Sequence, residues 1–166
     1  MSGPTLVGEF DLPASSYITY NNEYVDLWPT EAMAAGDTVA LVPGTTTHGY
    51  KHVQKAEATD YAVLVGIVKK YTDLISPVQV QIKGVFVNAK VLSSVAAKDR
   101  LTVSGTEGKL YDIDLVVTAD PAPQADVRRV ANDAGIGVAL TAAADIGGGD
   151  YRADVQLLDP MGMSKS

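Results

Sequence analysis

The chain has 166 residues, 46% of them hydrophobic, and no cysteine. That is enough apolar material for one domain or two small, closely packed lobes, and it excludes disulfides, thiolate metal sites and cysteine nucleophiles. A formal net charge of −7 argues against direct binding to nucleic acid or an anionic membrane, since both reward a basic surface.

Residues 1–16 contain Gly3, Pro4, Gly8, Pro13 and a serine pair, and are expected to form an extended arm. The first residues, Met1-Ser2-Gly3-Pro4, lack a basic stretch leading into an apolar core, so no secretory signal is expected. Next, residues 17–20 and 23–27 flank Asn21-Asn22, a candidate tight turn. Thr30 is placed to cap a short helix through Ala35. A strand over 38–42 ends at the turn signal Pro43-Gly44. Residues 43–60, with three consecutive threonines and mixed charges, are expected as a long surface loop. The apolar run 62–68 is far too short to span a bilayer and suits a buried strand. Val78, Val80 and Ile82 alternate with polar residues, the period of a half-buried strand. Residues 90–97 could make two helical turns. Residues 101–103 and 109–111 flank a loop over 104–108 and predict a hairpin. A short apolar strand is expected at 115–118 and a long loop at 119–133. A last alternating strand over 153–158 precedes a polar, frayed tail at 159–166.

The most informative pattern is an internal repeat. Ala34-Ala35-Gly36-Asp37-Thr38-Val39, Val65-Gly66-Ile67-Val68 and Val80-Gln81-Ile82 recur in order as Ala96-Ala97-Lys98-Asp99-Arg100-Leu101, Ile136-Gly137-Val138-Ala139 and Val155-Gln156-Leu157. The offset grows from 62 to 71 to 75 residues, so loops have been inserted between matched strands. With so little helical periodicity, the expectation is an all-β fold: a compact barrel or sandwich of about eight to ten strands, built from two related β-units, occupying 17–158 behind the arm.

This arrangement of acidic turn, glycine-containing strand and alternating terminal strand, across residues 34–158, resembles the bacteriophage capsid cement, or decoration, proteins. Residues 1–33 have no counterpart in that pattern, and the loop over 111–133 is long for it. The resemblance implies a non-enzymatic virion protein without cofactors. It would reside in the host cytoplasm before assembly and then on the outer surface of an expanded capsid. There, as a homotrimer, it would clamp neighbouring major capsid protein subunits against internal genome pressure, a ligand that stabilises the state it binds. Leu6, Phe10 and Leu12 alternate along one side of the arm, which suits strand addition to an exposed sheet edge of a capsid or neighbouring subunit. The arm could equally complete this chain's own sheet. Trp28, beside Pro29 at the end of a strand, is expected at a core edge or an oligomer contact.

Other chemistries are less well supplied. His48 and His52 would share a face on a helix and could hold a metal, but Gly49 and the threonine run oppose a helix, leaving ordinary loop histidines. Asp145 and Asp150 bracket three glycines, yet two carboxylates are few for calcium, and a hairpin turn explains them. Gly149-Asp150-Tyr151-Arg152 is similar to a segment of trimeric dUTP pyrophosphatases. That family's catalytic Asp would fall on Gly148, and its Arg-Ser-Ser segment and glycine-rich C-terminal arm have no counterpart here. Trp28 and the eight tyrosines leave a carbohydrate-binding β-module as the main alternative.

Overall fold

A computed structural model describes residues 22–60, 63–113 and 135–158. The arm residues Leu6, Phe10 and Leu12, the strands expected at 17–20 and 115–118, the loop expected at 119–133 and the tail at 159–166 lie outside the described residues. The described chain is all-β. Its strands are β1 (Glu23–Pro29), β2 (Thr38–Thr47), β3 (Tyr50–Lys55), β4 (Leu64–Lys70) and β5 (Val78–Lys90), followed by β6 (Arg100–Val103), β7 (Leu110–Asp112), β8 (Gly137–Ala139), β9 (Ala144–Asp145) and β10 (Tyr151–Leu157).

Pairing closes these strands into two small barrels. In the first, β1 runs parallel to β3 and antiparallel to β5, and the ring continues β3–β2–β4–β5. In the second, the far half of β5 pairs with β10, then β8, β6 and β7. A parallel bridge from Val91 to Leu110 completes that ring. The 13-residue β5 is therefore the last strand of unit one and the first strand of unit two. Closure removes the exposed sheet edges through which small β-proteins aggregate.

The sequence repeat is a structural repeat at the level of single hydrogen bonds. Asp37 Oδ2 accepts from Ala34 N at 2.7 Å, and Asp99 Oδ2 accepts from Ala96 N at 2.7 Å. The next residue back is left-handed in both units, Gly36 at φ +98° and Lys98 at φ +77°. Their amides donate to Val68 O and Ala139 O, and those residues' amides return to Asp37 O and Asp99 O. Ile67 pairs with Gln81 as Val138 pairs with Gln156. Gly66 and Gly137 occupy the same place, where an added Cβ would collide with the carbonyl oxygen of Gln81 or Gln156. Even the entry strands match: Pro29 faces Val53 and Val91 faces Leu110, and the following amides, Thr30 N and Leu92 N, donate to those same partners' carbonyls.

Strand alternation sends one set of side chains into each barrel. Leu27, Met33, Val39, Val53, Val65, Val68, Val78 and Val80 fill unit one. Their matches Val95, Leu101, Leu110, Ile136, Ala139 and Val155 lie in the core of unit two. Ala40, Ala56, Leu64 and Ile67, from unit one, join that second core, so the two barrels share a continuous apolar seam. Asp37, 3% exposed, sits at this seam with Lys90 Nζ 2.6 Å from its Oδ1.

Three expectations are corrected. The loop expected over 43–60 is largely the β2–β3 hairpin. Thr46 and Thr47 pair with Lys51 and Tyr50, and Pro43-Gly44 mark a bulge between the pairs Val42↔His52 and Thr46↔Lys51 rather than the strand's end. Branched threonines suit an extended backbone, and the turn signal reports the bulge. The expected helix at 30–35 is a turn, because Thr30 N and Oγ1 both donate to Val53 O. The expected helical turns at 90–97 likewise give way to strand and turns, with Lys90 inside β5 and Val91 bridged to β7. The 101–103/109–111 hairpin forms as expected, with Val103 opposite Leu110. The glycine triplet also makes a hairpin, β9 pairing with β10. No helix among the described residues is long and apolar enough to cross a membrane.

Candidate interaction surface

Both barrels are filled by side chains of the described strands, so the surface carries the recognisable groups. The largest cluster lies at the β2–β3 hairpin. The parallel β1–β3 pairing sets Trp28 opposite His52. Tyr50, two residues earlier on β3, stacks at 28° to Trp28 with ring centroids 6.2 Å apart, and His48 tilts over the indole at 5.3 Å. His48 reaches it because the hairpin turn gives it a left-handed backbone, φ +49°. His52 is fixed on both sides: its Nδ1 lies 2.8 Å from the Thr45 hydroxyl and its Nε2 lies 2.7 Å from that of Thr47. A hydroxyl can donate or accept, so either tautomer is satisfied. The two histidines are thus an aromatic contact and a hydroxyl-braced strand residue. His52 belongs to β3 and not to the expected loop.

Beside this cluster the bulge opens a hollow of about 390 Å³, walled by Leu41, Val42, Pro43, Thr46, Lys51 and Val63. Elsewhere Leu74 and Ile75 stand 48% and 80% exposed between β4 and β5, and Ile146 stands 62% exposed beside the glycine turn. Apolar side chains this exposed mark surfaces that gain by being covered.

The glycine turn has its carboxylates already engaged. Asp145 Oδ1 accepts from Gly147 N and Gly149 N at 2.8 and 3.2 Å. Asp150 takes both Nε and Nη2 of Arg152, at 2.8 and 2.9 Å, and this fork holds its carboxyl below the usual carboxylate range. Arg152 Nη1 reaches on to Ala35 O and Asn88 O, tying the turn to the seam. Gly148, where the pyrophosphatase comparison would need a carboxylate, is a left-handed turn residue at φ +65°. Among the described residues no three His, Asp or Glu side chains converge as metal ligands would.

Of the residues singled out in the sequence, the structure brings Trp28 together with His48, Tyr50 and His52. The sequence reading missed the seam group: Lys55 bonded to Glu107 at 3.2 Å, Asp37 to Lys90, and Gly108 wedged against unit one. Glu107 raises the Lys55 ammonium above its ordinary range, burial opposes this, and Glu31 adds to it. The 62-residue offset that aligns Asp37 with Asp99 does not align these residues; strand pairing alone matches them, setting Lys55 opposite Val39 as Asp112 is opposite Leu101. No protein-family model and no curated protein matches this chain.

Proposed function

We propose that this chain is a structural capsid protein of the cement type, non-enzymatic and acting by contact. On this reading it binds the outer face of an expanded phage head as a homotrimer and bridges major capsid protein subunits. The observation that carries the reading is the correspondence between the resembling sequence pattern and the paired barrels. The acidic turns, glycine strands and terminal strands are the residues that build and close each ring. Two closed, side-chain-filled barrels joined by one strand make a stiff body, and a clamp needs stiffness to resist subunit separation. The net charge of −7 favours solubility before assembly and gives no grip on the packaged genome. Many weak clamps on one lattice act together, each stabilising only the assembled state it binds.

The test is co-sedimentation with expanded, decoration-free capsids, followed by electron microscopy of the particles. Stoichiometric density over threefold or quasi-threefold positions is expected. Failure to co-sediment with any expanded shell of the phage whose genome encodes this chain refutes the reading.

One observation favours a second reading. Trp28 and Tyr50 lie side by side at a low interplanar angle on an open hairpin, the arrangement on which a sugar ring can stack. A carbohydrate-binding module predicts retention on a glycan array that Trp28→Ala abolishes. The cement reading predicts no glycan retention.

A further inference from the structure

We draw no further inference here: the strongest candidate, the apolar hollow at the β2 bulge with Lys51 on its wall, adjoins through Val63 residues 61–62, which lie outside the described residues, and nothing in the structure shows what covers it.

Discussion

Asp37 and Asp99 make the same capping bond in the two units but differ in one respect, and the difference isolates the strength of the seam. Asp99 caps Ala96 N in an exposed turn. Asp37 caps Ala34 N and also holds Lys90 at 2.6 Å, with side-chain exposures of 4% and 20%. Asp99→Ala should therefore cost about 1 kcal/mol, the ordinary loss of a capping oxygen. Asp37→Ala removes the cap and strands a largely buried ammonium, so the cost should rise to about 3–5 kcal/mol. Lys90→Met strands the carboxylate and is costly for the same reason. The double variant Asp37→Ala/Lys90→Met strands neither charge, so it should be more stable than the sum of the singles implies, by about 2 kcal/mol. Urea unfolding of the four proteins measures these differences, provided the slopes stay equal. Equal costs for Asp37→Ala and Asp99→Ala, or strict additivity in the cycle, would show that the seam pair contributes nothing and that the barrels are held by their apolar contact alone.

The other predictions concern the repeat, the acid limit and the arm. Lys98 has φ +77° where its match is Gly36, so Lys98→Gly should raise stability by about 0.5–1 kcal/mol, the strain relieved exceeding the entropy glycine adds to the unfolded chain. Gly137→Ala forces a methyl onto the Gln156 carbonyl and should cost about 1–3 kcal/mol in thermal or urea unfolding. Arg152 lowers the Asp150 pKa in the folded state, so their bond stabilises the fold above the unfolded carboxylate pKa and is lost as pH falls through the folded one. Acid unfolding of Arg152→Gln should show a shallower dependence through that window, and an unchanged profile would remove Asp150 from the account. On the cement reading proposed above, deleting residues 1–14 should leave the repeat folded and weaken capsid co-sedimentation at least tenfold, since burying two or three of Leu6, Phe10 and Leu12 against the shell would contribute roughly 3–6 kcal/mol before ordering costs. Unchanged binding by the folded truncation would exclude the arm as an anchor.

What could be read from the sequence, and what could not, follows from how local each signal is. The acidic turns were legible because Asp37 and Asp99 each bond an amide three residues back, inside one short window. The strand over 78–83 was legible because alternation of Val78, Val80 and Ile82 is local too. The ring closures were not, since they depend on β5 serving both barrels and on Pro29 and Val91 each ending beside a hairpin strand. Pro43-Gly44 misled because a turn signal and a bulge signal use the same residues. The Trp28 cluster is half visible: Trp28 is expected at a core edge or an oligomer contact, but its partners come from a hairpin whose threonine-rich strands read as a loop.

The shared strand explains why the two hairpins, equivalent by strand pairing, do different work. Because β5 ends one barrel and begins the next, the second barrel is held in a single orientation against the first. In that orientation the short β6–β7 tip meets the open end of β2–β3, and Gly108 fits there because a side chain would press on Asp37. The β2–β3 hairpin of unit one is the longer of the two, and its Tyr50 stacks on Trp28 of β1 while Lys51 lines the hollow at the bulge.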